Sequence, residues 1–251
     1  MAPGLVLEER DGVRVAHMRF GRGNAMNLEM LDGLAAGLES ADHQPTVLTG
    51  EGKIFSAGLD LVSLDALDRD DFEDFMTRFS ATMLQVLTAS YPLVAAVNGH
   101  AVAGGCVLAL ACDYRIGAEG DYKIGMNELA HGLPLPAVAS EIPRGALAPQ
   151  TYRTVVMSGV LMDPETAKQV GILDMQAPNA EACIEQACAL AREQAKSPAA
   201  FAAVKSAVVG PVVAAIKGTR ESLDRRFVDI WFSEAASAAR ARTIERLKSK
   251  G

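Results

Sequence analysis

Residues 79–112 include no Asp, Glu, Lys or Arg. Within this run, 92–112 is apolar enough to score as a membrane span. Yet it holds Pro92, Asn98, Gly99, His100, Gly104 and Gly105, which break a continuous helix or cost heavily in lipid. The segment reads instead as a buried strand over 92–97, a turn at Asn98-Gly99, and a small-residue helix over 104–111. No membrane span is expected. Such a segment needs cover on every side, hence a large core. A chain of 251 residues buries roughly three quarters of its unfolded surface. With 49% hydrophobic, 22% charged and only 5% aromatic residues, the composition is globular.

The flanking sequence repeats a strand-then-helix rhythm. Residues 13–20 alternate as a strand, and Leu28, Leu31, Leu34, Ala35 and Leu38 recur at helical spacing over 28–40. Residues 46–49 form a short apolar run ended by Gly50 and Gly52. An amphipathic helix is expected near 71–89 and a strand at 113–117. Buried strands without alternation, separated by helices, imply an α/β core with helices over the sheets. Asp163-Pro164-Glu165 begins a further helix, Asp as cap and Pro in the first turn. Helices follow over 179–196 and 198–209, then a long helix or pair after Pro211. This divides the chain into 1–196 and a helical section, 197–251.

The formal charge is −7. An acidic chain argues against a generic nucleic-acid binder, which needs a basic footprint. Cys106, Cys112, Cys183 and Cys188 include no C-x-x-C pair, so they read as core thiols. Glu8, Glu9, Arg10 and Asp11 leave no apolar leader near the start; a cytoplasmic protein is expected. His17, His43, His100 and His131 form no metal-like pairing and read as structural histidines. Phosphate-loop, nucleophile-elbow and zinc-helix motifs are absent, and Met26 stands where a dinucleotide fingerprint needs its third glycine.

Two glycine sites carry more. Phe55-Ser56-Ala57-Gly58-Leu59-Asp60 ends a strand, and Asn98-Gly99 to Gly104-Gly105-Cys106 leads a strand into a helix. Unpaired N–H donors from two such loops, aimed at one point, would make an oxyanion hole. Tight turns and close helix packing explain the glycines equally well.

In order and spacing, further pieces join these two segments: Asn24-Ala25-Met26-Asn27, Leu108 through Arg115, Ile124-Gly125-Met126-Asn127-Glu128, and Ala167 through Asp174. Together they resemble the crotonase (enoyl-CoA hydratase/isomerase) superfamily along nearly the whole chain. The resemblance implies a crotonase-like spiral of β-β-α turns with a helical C-terminal trimerisation region, assembled as a homotrimer or a dimer of trimers. It also implies an acyl-CoA thioester substrate, with coenzyme A as part of the substrate and no separate cofactor or metal. By motif position, the N–H groups of Leu59 and Gly104 would hold the thioester oxygen, and Glu128 would carry the proton. Arg22, Asn24, Ala25, Met26, Ala57, Gly58, Asp60, Leu61, Gly105, Val107 and Leu133 would line the substrate. Arg22 and Lys53, with Arg242, Arg246 and Lys248, would face phosphates; a solvated helix end explains the last three as well. Phe227, Trp231 and Phe232 read as core or subunit contact.

Hydratases of this family carry a second Glu two residues after the paired glycines, where this chain has Val107. A valine cannot orient water. Moving a double bond from C3 to C2 needs only one carboxylate and an oxyanion hole. The pattern is therefore closest to Δ3,Δ2-enoyl-CoA isomerases. Pro136 stands where the family's dienoyl-CoA isomerases carry an Asp. A pocket of Val107, Leu133 and Leu135 is expected to raise the pKa of Glu128. A hydratase or other lyase, and an acyl-CoA binder without turnover, are the alternatives. Two departures from the family pattern are Ala103, where a glycine is common, and the proline-stiffened Leu133-Pro134-Leu135-Pro136.

Overall fold

The structure is a computed structural model describing residues 4–41 and 43–249, with the backbone alone for Lys248. The chain opens with β1 (Gly4–Arg10) and β2 (Val13–Arg19), an antiparallel hairpin. Asp11 and Gly12 close it, both at positive φ, 50° and 78°, the backbone that matches the twist of paired strands. After a 3-10 turn at Arg22–Asn24 comes α1 (Leu28–Glu39), where Asn27 accepts from the Met30 N–H as cap.

Three β-β-α turns follow. The first is β3 (Thr46–Thr49), β4 (Ile54–Ser56), then α2 (Leu61–Leu64) and α3 (Arg69–Thr88). The second is β5 (Leu93–Val97), β6 (His100–Val102) and α4 (Gly104–Ala111). The third is β7 (Tyr114–Ala118), β8 (Ile124–Gly125), a 3-10 turn at Glu128–His131 and α5 (Ala137–Ala146). Each turn gives one strand to a six-stranded sheet, ordered β1-β2-β3-β5-β7 and then β9 (Met175–Ala177), and the next to a three-stranded sheet, β4-β6-β8. Apart from β1–β2, every pairing between these strands is parallel. The chain then runs through α6 (Pro149–Ser158), α7 (Pro164–Gln169), β9 (Met175–Ala177), α8 (Ala180–Gln194), α9 (Pro198–Trp231) and α10 (Glu234–Lys248).

β5 lies between β3 and β7 with all five residues buried, which accounts for its uninterrupted apolar sequence. One face of the large sheet packs on α8 through Val15, Val47, Val94, Ile116 and Cys183. The other face carries the main core, with Met30, Phe75, Phe79, Leu108 and Trp231. All four cysteines are buried and free.

Two elements depart from the sequence reading. β1 was not anticipated, because its side chains are largely exposed and alternate weakly. α9 does not break at Pro211 but continues through it. A proline removes one helical hydrogen bond; here Pro211 lies on the exposed side, while Ile216 and Phe227 stay buried. The apolar stretch 92–112 is interior. Among the described residues, α9 is the one helix long and apolar enough to cross a membrane by length and composition, with 11% of its apolar window buried. Val204 and Val208 on it are 63% and 69% exposed.

Candidate active site

Because β4, β6 and β8 run parallel, the three loops leaving their C-terminal ends emerge on one edge of the small sheet. That edge is where ligands bind in open parallel sheets. The first loop is Ala57-Gly58-Leu59, the second enters α4 at Gly104, and the third is the turn beginning at Glu128.

The first two loops touch. Gly58 sits at φ +84°, and a Cβ there would lie 2.8 Å from the Val102 carbonyl oxygen and 3.2 Å from the Gly104 nitrogen. Only glycine allows this approach. The first loop is stitched to the chain before α1: the Met26 N–H donates to the Gly58 oxygen (2.7 Å) and the Asp60 N–H to the Met26 oxygen (3.0 Å). Both bonds flank Leu59 and leave its N–H free. Among the described residues, the Leu59 and Gly104 N–H groups donate to no protein acceptor. Gly104 also opens α4, so its N–H carries the partial positive charge of a helix start.

Both donors line a cavity of about 650 Å³, its open mouth included. Met76 and Phe79 from α3, Leu133, Ala139 from α5 and Phe227 from α9 form apolar walls. Glu128 is the one carboxylate in that lining. Burial pushes its pKa up to about 7, and its only opposing influence is a hydrogen bond from its own backbone N–H. His131 lines the cavity too. Residues three apart eclipse in a 3-10 turn, which sets His131 on the face of Glu128.

The sequence profile of the Enoyl-CoA hydratase/isomerase family matches residues 9–249. The chain belongs to that family. It is similar to the crystal structure of human mitochondrial delta3-delta2-enoyl-CoA isomerase, with TM-score 0.91, 27% identity and 98% of each chain covered. The crystal structure of an enoyl-CoA hydratase from Mycobacterium marinum has TM-score 0.81 and 26% identity, covering 89% of this chain and 99% of that one. Mouse enoyl-CoA delta isomerase 1, mitochondrial, is 32% identical over 66% of this chain, and that match spans 60% of the mouse protein.

In this crotonase-fold chain, the expected site residues separate by role. Leu59, Gly104, Glu128, Ala57, Leu61 and Leu133 line the cavity. Arg22, Asn24, Ala25, Met26, Gly58, Asp60, Gly105 and Val107 do not. Asn24 is 4% exposed, accepts from the Phe20 N–H and donates to the Phe55 oxygen. Its amide is committed to the loop. Asp60 caps α2, accepting from Val62 and Ser63 N–H groups. Met26 is fully buried beneath Gly104. A Cβ on Gly105 would overlap the Ser56 carbonyl, so this glycine serves the crossing of α4 over β4. Val107 lies inside α4 with no exposure. It offers no carboxylate but does not wall the cavity, and Leu135 is a core contact instead. Met76, Phe79 and Phe227 supply the apolar surface expected of Val107 and Leu135. Arg22 donates to the Leu247 oxygen at 3.3 Å, bringing its loop to the end of α10, where Arg246 also lies. The side chain of Lys248 lies outside the described residues.

Sequence reasoning missed His131 and Phe227 as cavity residues. The three-residue interval from Glu128 was the available signal for His131. Phe227 had none, because α9 meets the cavity only through the tertiary fold.

Proposed function

We propose that the protein is a Δ3,Δ2-enoyl-CoA isomerase with Glu128 as its single proton carrier. One observation supports this most: a lone carboxylate with pKa near 7 shares an apolar cavity with two free N–H donors. In this reading the Glu128 carboxylate takes a proton from C2 of a 3-enoyl-CoA. The C2–H electrons and the C3=C4 π electrons delocalise as a dienolate, whose charge rests on the thioester oxygen between the Leu59 and Gly104 N–H groups. Glu128 then returns the proton to C4, leaving C2=C3. Nothing is added or lost. A pKa near the working pH suits a group that must both accept and donate. Position 107, a valine, brings no second acid to orient water.

The same reading takes residues 1–196 as the acyl-CoA-binding and catalytic part, and 197–251 as oligomerisation region and cover for the site. Phe227 at the cavity and the exposed apolar side of α9 support it. A cytoplasmic homotrimer, or two stacked trimers, completes it, with coenzyme A only as part of the substrate.

The test is incubation with trans-3-hexenoyl-CoA, following absorbance of the conjugated 2-enoyl product. New conjugation is expected, and Glu128→Ala should lower its rate at least about 1,000-fold. Consumption of a 2-enoyl thioester by water without isomerisation would instead make the protein a hydratase. Thermal stabilisation by acyl-CoA with neither reaction would make it a binder.

A further inference from the structure

We propose that His131 is a positioning residue for Glu128, tying the turn that carries the acid to α10 through a hydrogen-bond chain from Thr243 through His131 to Asn127. This rests on the reading of Glu128 as proton carrier.

The chain has one consistent direction. The Thr243 hydroxyl donates to the Ala239 oxygen at 3.2 Å, one turn back on α10. Its oxygen is left to accept from His131 Nδ1–H, 3.4 Å away. That tautomer leaves His131 Nε2 to accept from the Asn127 amide at 3.1 Å. Burial and the nearby Arg246 guanidinium of α10 hold the His131 pKa below its ordinary value, which keeps the ring neutral as the chain requires. Among the described residues, Arg246 is the one charged group acting on it.

Glu128 needs such a tether. Among the described residues, no side chain bonds its carboxylate, so its aim rests on the backbone of a four-residue 3-10 turn. Turns this short hold poorly alone. Asn127, at the other end of the chain, is the cap residue of that turn and adjoins Glu128 directly. α10 is a firm anchor. Its Arg240, 3% exposed, binds Asp65 Oδ1 at 2.9 Å and the Trp231 oxygen at 2.5 Å.

Thr243 does not line the cavity, which makes Thr243→Val the discriminating variant. Thr243→Val and His131→Leu are each expected to lower kcat about tenfold with KM within about twofold. The acid limb of the pH profile should move below 7 as the loosened turn admits water. The double variant should be no worse than the worse single one. His131→Gln, whose amide can both accept and donate, should recover most of kcat. Normal kcat and pH profile in Thr243→Val beside a damaged His131→Leu would overturn the proposal and make His131 a substrate contact. Raised KM at unchanged kcat would overturn it too. If His131→Leu does not fold, Thr243→Val carries the test. A 13C carboxyl titration of Glu128 in the substrate-free protein, wild type against Thr243→Val, reads the tether without turnover. An unmoved Glu128 titration sinks the tether, whereas a wild type without isomerisation sinks only the isomerase reading.

Discussion

Glu128 holds its proton more tightly in the folded chain than an ordinary carboxyl, with a pKa near 7 against 4.5. In the proposed isomerisation, the ionised form must remove the C2 proton, so kcat/KM should fall as pH drops below about 7, measured with a 3-enoyl-CoA across pH 5–9. For stability the sign is opposite. The folded state binds the proton more strongly than the unfolded one, so this stabilisation is complete below about 4.5 and lost as pH rises through 7. Glu128→Gln should therefore be more stable than wild type by roughly 3 kcal/mol at pH 8.5, and nearly equal at pH 4.5, by urea unfolding. Ala103 is the second residue of note. It holds φ 52° and ψ −122° ahead of α4, a backbone costing about 1–3 kcal/mol for a residue with a Cβ. Ala103→Gly should raise the unfolding free energy read from urea denaturation by about 1 kcal/mol, net of the added unfolded-state entropy. Both residues lie on segments where the linear motif was informative. What the motif did not show was that Asn24, Asp60 and Val107 turn away from the cavity. Their neighbours in sequence are the same either way; bonds to Phe20, Phe55, Val62 and Ser63 decide it for Asn24 and Asp60, and full burial within α4 decides it for Val107.

Among the elements, α10 does more than end the chain. Arg240 joins it to Asp65 at the end of α2, Thr243 reaches His131, and Leu247 receives Arg22. The helix thus touches α2, which follows the Leu59 loop, the turn that carries Glu128, and the loop before α1. The Arg240 guanidinium also lies 4.0 Å over the Trp231 ring. Arg240→Ala leaves Asp65 and the Trp231 carbonyl without their partner, and should destabilise the protein by about 3 kcal/mol. Amide exchange over α10 should quicken before the rest of the protein unfolds. α9 is fastened at its other end by Lys205, whose ammonium lies 2.9 Å from Asp113, both groups nearly buried. Helices α1, α3, α4, α7 and α8 were legible from periodicity and caps. The continuity of α9 through Pro211 was not, because local propensity favours a stop there and buried contacts on both sides of the proline override it.

At the scale of the whole molecule, α9 presents a long apolar flank, where Val204 and Val208 face outward. The trimer proposed above would cover such a flank. Light scattering of the purified protein should return about three times the 26.5 kDa chain mass or six times. Val208→Asp should shift it towards monomer, since a carboxylate in an apolar contact is costly to desolvate. A monomeric wild type at micromolar concentration would remove the trimer from the reading. The order of motifs along the chain determined the family, the β-β-α rhythm and which carboxylate is proposed as the acid, because glycines, caps and a lone carboxylate are properties of short segments. Only the tertiary structure decided which neighbours of those motifs meet the cavity. Parallel pairing of β4, β6 and β8 brings three distant loops to one edge, and α9 and α10 return to cover them with Phe227 and Thr243. Contacts between segments a hundred residues apart depend on how the spiral closes, which no local pattern encodes.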